Sequence, residues 1–209
     1  MVKITDKLKK LTIDFYNREN VLLIAKELLG KILVTKFNGI VTSGRIVETE
    51  AYLGFQDRAS HSFGGRRTVR NEAMYSAAAT SYVYICYGMH HLFNVVTNKK
   101  EIPEAVLIRS LEPIKGIEMM LLRTGKKQLD NTLTKGPGNV SKALGIDKQH
   151  TGLSLLSTKI YIMDDGFVVD DKITGISRRI GVEGAGDAAL LPYRFYIKGN
   201  RFVSGSPVK

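Results

Sequence analysis

The sequence predicts an α+β fold that contains one largely antiparallel β-sheet. Segments with the pattern of strands dominate the chain, and only a few helical segments lie between them. The dipeptide Asn38-Gly39 lies between two strand-like segments, where it is typical of a tight hairpin turn. No internal repeat and no linker rich in Pro, Gly or Ser divides the chain, so we expect a single domain over residues 1–209.

The elements follow in chain order. Residues 17–29 predict a helix with Asn17 as its N-cap and Gly30 as its end, because apolar side chains recur there with helical spacing. Residues 31–37 predict a strand, and the turn at Asn38-Gly39 leads into a second strand over residues 40–52. Further strands are predicted at residues 81–87, 93–97, 105–111, 159–163, 178–182 and 193–198. Helices are predicted at residues 115–123 and in a short stretch after residues 135–139.

The composition excludes several classes of protein. Hydrophobic residues make up 44% of the chain and charged residues 24%, which is typical of a globular protein and not of a disordered one. Apolar runs such as residues 21–25 are much shorter than the roughly twenty residues of a membrane span, and residues 1–7 lack the apolar stretch of a signal peptide. The single cysteine, Cys86, excludes an internal disulfide and a multi-cysteine zinc site. We therefore expect a soluble intracellular protein, either cytoplasmic (nucleoid) in a bacterium or nuclear in a eukaryote.

The charge balance favours a polyanionic partner, with nucleic acid as the first candidate. The chain has 31 Lys and Arg against 20 Asp and Glu, a net charge of +11. Two segments are basic and contain no acidic residue, namely residues 58–71 and residues 190–209. Ribosomal and lipid-surface proteins share such an excess, so the charge alone does not identify the partner.

The most informative segment covers residues 45–52. Side chains alternate across a strand, so Ile46, Glu48, Glu50 and Tyr52 are expected on one face, with successive members roughly 7 Å apart. The simple alternative is that this face is exposed to solvent. The opposite face is no better as a core face, because it starts with Arg45. At least one glutamate could therefore lie in a pocket that tunes its pKa for base chemistry.

Two other strands carry candidate functional residues. In residues 81–91, Gly88 ends the strand and leaves Tyr87 near its tip, where an aromatic ring could act as a wedge between stacked bases. The alternative is that these tyrosines only pack within the sheet. Arg109 lies in an otherwise apolar strand, where a buried arginine needs an acidic or phosphate partner. The alternative there is an edge position with the guanidinium in water.

Histidine and glycine patterns give weaker signals. The four histidines, with Cys86, match no established zinc motif, so no metal site is expected. Residues 64–68 could form a backbone nest for phosphate, and residues 135–139 could present amides to another phosphate at the start of a helix. The sequence contains neither a Walker motif nor a dinucleotide-binding fingerprint.

Taken together, these segments resemble the alkyladenine (3-methyladenine, N-methylpurine) DNA glycosylase family from about residue 21 to residue 204. The resemblance is carried by RIVETEAYLG at residues 45–54, ASHS at 59–62, GGR at 64–66, RN at 70–71, YVYICYGM at 82–89, LIRSLEP at 107–113, GP at 136–137 and RFY at 194–196. It implies a single α+β domain with a curved antiparallel sheet flanked by a few helices. It also implies a monomer that acts on double-stranded DNA with a damaged purine, flips that purine out and hydrolyses its N-glycosidic bond without metal or cofactor.

The resemblance also implies residue roles. Glu50 corresponds to the base that activates water, and Arg109 lies beside that water. The base pocket is implied to be lined by Tyr52, His61, Tyr84 and Asn94, with Tyr87 as the intercalating residue. The basic segments and glycine turns suggest DNA-backbone contacts by Arg66, Arg70 and Gly136. Glu48 is interpreted as supporting structure.

Two departures and two alternatives accompany this interpretation. Ala78-Ala79 stand where the family usually has Pro-Gly, and His90 stands where some relatives have tyrosine. No lysine lies in the predicted pocket strands, so a Schiff-base lyase step is not suggested. The alternatives are a non-catalytic nucleic-acid binder and a metal-dependent hydrolase that uses His61, His90 and His91.

Overall fold

The structure is a computed structural model that describes residues 8–205. Residues 1–7, where no signal peptide is expected, lie outside the described residues, as do the last residue of the basic tail, Lys209, and both ends of the predicted domain. Over the described range, none of the helices has the length and apolar character that crossing a bilayer would require.

The described chain forms one curled sheet with helices packed against it, which confirms the α+β prediction. Its strands are β1 (Lys9–Lys10), β2 (Ile32–Phe37), β3 (Ile40–Tyr52), β4 (Thr80–Cys86), β5 (His90–Thr97), β6 (Glu104–Lys115), β7 (Ile160–Asp164), β8 (Thr174–Ser177) and β9 (Arg194–Ile197). Its α-helices are α1 (Ile13–Tyr16), α2 (Val21–Glu27), α3 (Ile117–Thr124) and α4 (Pro137–Leu144). Seven strands follow the order β1-β7-β2-β3-β6-β5-β4, and every described strand pair is antiparallel.

Strand β3 organises the sheet because it changes partner along its length. Its first half pairs with β2, while residues 48–50 pair with β9 on the same side; β6 runs along its other edge. The predicted hairpin is confirmed, since Asn38 and Gly39 both have positive φ between β2 and β3. Residues 48–50 of β3 therefore lie between β6 and β9.

One predicted helix begins later than expected, and one predicted strand is absent from the described residues. The helix begins at Val21 with Asn20 as its N-cap, whose side chain accepts from the Leu23 amide, because residues 13–16 form a separate helical turn that ends at Asn17. Residues 178–182 are not a strand; the strand precedes them as β8. The backbone there bonds a side chain instead, since the Ile180 N–H donates to Glu50.

The main core fills the space between the sheet and the helices. Fully buried residues include Ile24 from α2, Leu28 directly after it, Val47 from β3, Ile108 from β6 and Leu144 from α4. Burying each such side chain contributes about 1.5–3 kcal/mol. This packing supports the long strands that carry the polar residues of the site.

Three register shifts interrupt the pairing of β3 with β6, and two of them are β-bulges next to Glu48. The register passes from Ile46 opposite Leu111 to Glu48 opposite Ser110, so Val47 is an extra residue on β3. The next shift leaves Arg109 extra on β6. Bulges redirect side chains. The first bulge moves Ile46 to the opposite face from Glu48 and so corrects the prediction that they share a face; Ile46 and Val47 both lie in the core.

The Ala78-Ala79 departure lies in a tight connection before β4. Ala79 is buried and has φ of 61°, a left-handed conformation that glycine adopts more easily. Its N–H donates to Val96 O at 3.0 Å, and its carbonyl accepts from the Leu155 amide at 2.7 Å. Two backbone hydrogen bonds thus hold this turn without a glycine.

Candidate active site

One row of side chains crosses five strands of the sheet. Tyr82 on β4 lies opposite Asn94 on β5, Asn94 opposite Leu107 on β6, and Leu107 opposite Glu50 on β3. Glu50 lies opposite Arg194 on β9. Directly opposed residues share a face of a sheet, so antiparallel pairing brings sequence-distant residues together.

A cleft of about 450 Å³ opens above this row. Tyr52, Tyr82, Tyr84 and Arg109 line it from the sheet, and His61 lines it from the loop after β3. Residues 135–139 and residues 180–182 form further parts of its wall. This volume falls within the usual range of small-molecule sites, and its walls combine aromatic rings with a few polar groups.

Glu50 lies beneath the cleft with no exposed surface. Its Oε1 accepts the Ile180 amide at 2.7 Å and lies 3.2 Å from Nη1 of Arg109. Its Oε2 accepts the Tyr52 hydroxyl at 2.9 Å. Burial raises the pKa of Glu50 above its ordinary value, although Arg109 and both hydrogen bonds favour the carboxylate. A raised pKa suits a carboxylate that must take up and release a proton.

Glu48 forms a second buried centre beside Glu50. It accepts from Nε of Arg109 at 2.9 Å, from Nε of Arg194 at 2.7 Å and from Oγ of Ser110 at 2.7 Å. The backbone amide and hydroxyl of Ser204 donate to it at 2.7 and 2.8 Å. Burial works to raise the pKa of Glu48, but the two guanidinium groups and the hydrogen bonds outweigh it and hold that pKa below its ordinary value.

Arg109 joins the two carboxylates. Its side chain is buried, and it bonds Glu48 through Nε and Glu50 through Nη1. Because the side chain is buried and its guanidinium does not extend into water, the edge alternative for Arg109 is excluded. The bulge at this position directs the guanidinium between the two acids.

A buried ion pair supports the Tyr52 side of the site. Nη1 and Nη2 of Arg179 donate to the two carboxylate oxygens of Asp57 at 2.5 and 2.8 Å. The guanidinium carbon lies 4.8 Å from the centre of the Tyr52 ring. Burial and the neighbouring Glu50 raise the pKa of Tyr52 well above its ordinary value, so its hydroxyl keeps the proton that it donates.

Aromatic side chains form the wall opposite Glu50. The ring of His61 meets Tyr84 edge-on at a centroid distance of 4.6 Å. Nδ1 of His61 and the hydroxyl of Tyr82 share a hydrogen bond of 2.7 Å. When Tyr82 donates this bond, Nε2 of His61 carries the proton and is left as a donor. Burial lowers the pKa of His61 to about 4, with a smaller effect from Arg70 and Arg66, so the ring is neutral at pH 7.

We expect the His61 ring to titrate near pH 4 in the folded protein, well below its ordinary value of 6.5. Between these values the unfolded chain binds a proton that the folded protein does not, so the contribution of His61 to stability falls as pH drops through this window. Histidine ¹H–¹⁵N spectra recorded from pH 7 to 4 measure this directly. A His61 midpoint near 6.5 would contradict the expectation.

Tyr87 lies at the tip of the β4–β5 hairpin, at the mouth of the cleft. Its side chain is 85% exposed, and both Tyr87 and Gly88 have positive φ. A tyrosine in the left-handed region is strained, so the turn presents this ring at a cost in backbone energy. The exposed ring is not used for packing, in contrast to the buried Tyr82 on β4.

The assembled cleft can be compared with known proteins. A sequence profile that describes methylpurine-DNA glycosylase matches residues 14–201. The chain belongs to this family. A relative from Clostridium perfringens (strain 13 / Type A) is 46% identical over 199 residues, which cover 91% of this chain and 97% of the relative. One from Desulfitobacterium hafniense (strain Y51) is 45% identical over 204 residues, 94% of this chain and 99% of the relative. Both carry the name of a candidate 3-methyladenine DNA glycosylase.

Family membership confirms the resemblance drawn from the motifs. Asn94 of this methylpurine-DNA glycosylase family member is buried at the cleft floor, and its side-chain amide donates to Tyr82 O at 3.1 Å and Leu92 O at 3.2 Å. Its carbonyl oxygen is therefore the end left for a ligand. Arg66 and Arg70 are exposed on the loop beside the cleft, and Arg70 donates to Ile85 O in the β4–β5 hairpin at 3.1 Å.

The helix predicted after residues 135–139 is present as α4, but it begins at Pro137 inside that segment, and the Gly136 amide donates to Oγ of Ser110 at 3.0 Å. Some arginines of the two basic segments are also less available to a ligand than the composition of these segments indicates. Arg194 of the basic tail is buried against Glu48, and Arg67 bonds Glu72 and Glu101. Acidic residues from elsewhere in the chain thus neutralise part of the positive charge of the two basic segments.

The histidines named for a metal site serve other contacts. His61 bonds Tyr82, and His90 packs so closely on Gly138 that a Cβ added there would lie 2.9 Å from its Nδ1. Within residues 8–205, His, Cys, Asp and Glu side chains form no group of three or more suited to a metal ion. The residues of the metal-hydrolase alternative do not converge.

Sequence reasoning missed Asp57, Arg179 and Ser204, and it assigned Arg194 to a basic surface. Asp57 and Arg179 lie 122 residues apart along the chain, and Glu48 and Ser204 lie 156 apart. Asp57, Arg179 and Ser204 lie in none of the matched motifs. The one available signal was the RFY match at residues 194–196, which pointed to Arg194 without indicating its partner.

Proposed function

We propose that this protein is a monofunctional 3-methyladenine DNA glycosylase that flips alkylated or deaminated purines out of duplex DNA and hydrolyses the N-glycosidic bond with a water activated by Glu50. This reaction would initiate base excision repair. The observation that carries the proposal is the buried Glu50–Arg109 pair, 3.2 Å apart beneath an aromatic cleft in a methylpurine-DNA glycosylase family member. We also propose that the protein acts as a monomer. Its place of action is the compartment of the cell that contains the DNA.

The chemistry needs one acceptor position on Glu50 for a water proton. A carboxylate has about four such positions; on Oε1 the Ile180 N–H donates and Arg109 forms an ion pair at 3.2 Å, and on Oε2 the Tyr52 hydroxyl takes one position. The remaining position is on Oε2. Tyr52 and Arg109, which both line the cleft, separate this position from it, and we propose that the attacking water lies between these two side chains. Arg109 favours the ionised form of Glu50 against the effect of burial and orients the carboxylate toward this position.

In the proposed reaction, the bond from C1′ of the sugar to the purine nitrogen breaks, and its electron pair leaves with the purine. Positive charge builds on the sugar and is stabilised by the Glu50 carboxylate. The water oxygen bonds C1′ while its proton passes to Glu50 and later to solvent. A cationic alkylated purine departs as a neutral base, so it requires no acid; a neutral deaminated purine takes up one proton as it leaves.

The cleft suits a flat and electron-poor base. Tyr52 and Tyr84 offer electron-rich rings, which attract a cationic alkylpurine more strongly than a neutral one. His61 is neutral and offers a hydrogen-bond donor without repelling that cation. The carbonyl end of Asn94 faces the exocyclic groups by which purines differ. These groups support selection of damaged purines.

Tyr87 supports base flipping. Flipping costs a few kcal/mol, which a ring inserted in the vacated stack can offset. The exposed position of Tyr87 at the cleft mouth matches this role. Arg66 and Arg70 supply positive charge on the loop beside the same hairpin for backbone phosphates.

We expect Tyr87→Ala to lower the single-turnover excision rate by roughly 5- to 150-fold, since stacking on an aromatic ring contributes about 1–3 kcal/mol per base. Tyr87→Phe keeps the ring and should retain most of the rate. The rates are measured on a duplex with one methylated purine at saturating enzyme. Equal rates for the alanine and wild-type proteins would rule out the wedge.

The direct test is a panel of duplexes, each with one modified purine, treated with protein and then with alkali to cleave abasic sites. The proposal predicts strand cleavage at methylated purines. The non-catalytic nucleic-acid binder predicts duplex binding with no cleavage at any lesion. That second result would overturn the proposed function.

A further inference from the structure

Residues 178–182, called the strap below, connect β8 to the 3-10 helix at Glu183–Leu190 and cross the site next to Glu50. The strap touches the reacting group directly, because the Ile180 N–H donates to Oε1 of Glu50 at 2.7 Å. Ile180 and its two successors also line the cleft. The strap is not held by strand pairing, since β8 ends at Ser177 and residues 178–182 form no described strand.

Arg179 holds this strap in place. Its two terminal nitrogens bond both oxygens of Asp57, the carbonyl of Ala51 at 2.9 Å and the carbonyl of Ala188 at 3.0 Å. These acceptors belong to the end of β3, to the loop after β3 and to the 3-10 helix. One planar guanidinium therefore ties the strap to three other segments, a geometry that lysine cannot reproduce.

The same ion pair supports Tyr52 and the loop that carries His61. The guanidinium of Arg179 lies 4.8 Å from the centroid of Tyr52 and 5.2 Å from that of Tyr193. Asp57 also accepts the amides of Leu53 at 3.1 Å and Ala59 at 3.0 Å. The pair thus supports two of the groups that bond Glu50, the Tyr52 hydroxyl and the Ile180 amide.

Stability alone does not account for this arrangement. Nε of Arg179 is buried and has no hydrogen-bond partner among the described residues, which costs stability. A buried ion pair is also weak evidence for stability, because desolvation opposes the attraction. The ion pair does fix the positions of the groups that bond Glu50, and the position of Glu50 determines the rate of the proposed reaction.

We propose that Asp57 and Arg179 are positioning residues for the excision reaction, which fix the Ile180 amide and the Tyr52 ring on the Glu50 carboxylate. This inference rests on the proposed function. Neither side chain contacts the reacting atoms. They act through the strap and through Tyr52, so their loss should alter the chemical step more than duplex binding.

The test uses Asp57→Asn and Arg179→Lys with Asp165→Asn as the matched control. Asp165 forms a similar ion pair with Arg45, with bonds of 3.1 and 2.7 Å, and Arg45 also lies over an aromatic ring, that of Phe167, at 4.5 Å. Arg45 donates to a backbone carbonyl as well, that of Gly30 at 2.6 Å. This second pair has the same chemistry but contacts neither Glu50 nor Tyr52.

We expect Asp57→Asn to lower the single-turnover rate by about 100-fold, the effect of misplacing a reacting group by about 1 Å. Binding to an abasic-site duplex should stay near the wild-type value. The acid limb of the pH–rate profile should move to higher pH, because Glu50 loses a donor that favours its ionised form. Arg179→Lys keeps the charge beside Asp57, so it remains testable if Asp57→Asn does not fold, and it should show the same shift with a smaller rate loss.

Assays are run below the melting temperature of every variant, and Asp165→Asn should keep the wild-type rate and acid limb. A folded Asp57→Asn or Arg179→Lys protein with wild-type rate and acid limb would overturn the inference. An equal rate loss in Asp165→Asn would overturn it too, because general loosening would then explain the effect. Absence of excision by the wild-type protein would instead refute the proposed function.

Discussion

Glu50→Gln should abolish measurable release of methylated purines from duplex DNA, with a loss of roughly 10²- to 10⁴-fold, the range of general-base catalysis. The variant should fold, because glutamine keeps the shape of the side chain. Its carbonyl oxygen can accept from Ile180 N–H and Arg109, and its amide can donate to the hydroxyl oxygen of Tyr52. Single-turnover excision and binding to an abasic-site duplex measure the two effects separately, and binding should persist.

Glu104→Gln is the matched control for this experiment. Glu104 also lies on a strand of the sheet, is partly buried and has a pKa raised by burial, but it bonds Asn98 at 3.0 Å and not the arginines of the site. It should excise at the wild-type rate. Full excision by Glu50→Gln would refute the catalytic role of Glu50.

Glu48→Gln should destabilise the protein by about 3–5 kcal/mol, the cost of leaving a buried charge uncompensated. Glu48 is fully buried and contacts the guanidinium groups of both Arg109 and Arg194. Urea unfolding measures the free-energy difference. The exposed Glu112, which bonds Asn200 at 2.9 Å, supplies the control, and Glu112→Gln should change stability by less than about 0.5 kcal/mol.

The effect of Glu48→Gln should also depend on pH. The folded-state pKa of Glu48 lies below its ordinary value of 4.5, so its stabilising contribution is fully present above that value and is lost as pH falls through the folded-state pKa. The stability difference between wild type and variant should therefore be constant above about pH 5 and narrow at lower pH. A difference below about 1 kcal/mol at pH 7 would contradict the role of Glu48 as the counter-ion of both arginines.

Local sequence patterns predicted most of the sheet. The hairpin around Asn38-Gly39 and the long strand β3 follow from residues that are neighbours in the chain, and both are confirmed. Predictions from local patterns failed where a residue bonds a partner that is distant in the sequence. The sequence predicts a strand at residues 178–182, but the tertiary structure uses their backbone to bond Glu50 and the side chain of Arg179 to bond Asp57.

The bulges show why register cannot be predicted from alternation. A strict two-residue period puts Ile46, Glu48 and Glu50 on one face, whereas an extra residue at Val47 separates Ile46 from the two acids. An extra residue at Arg109 directs its side chain between those acids. Such shifts depend on how two strands pair, and each strand alone contains no information about its partner.

The sequence by itself determined the α+β class, the order of most strands along the chain, the family and the motif around Glu50. All of these depend on residues that lie close together in the chain or on the identity of short segments. Only the tertiary structure decided which charges meet, because ion pairs such as Arg179 with Asp57 and Arg194 with Glu48 join residues more than 120 positions apart. Burial works to raise the pKa of both Glu48 and Glu50, but the two pKa values shift in opposite directions because Glu48 contacts two guanidinium groups and Glu50 shares only one of them.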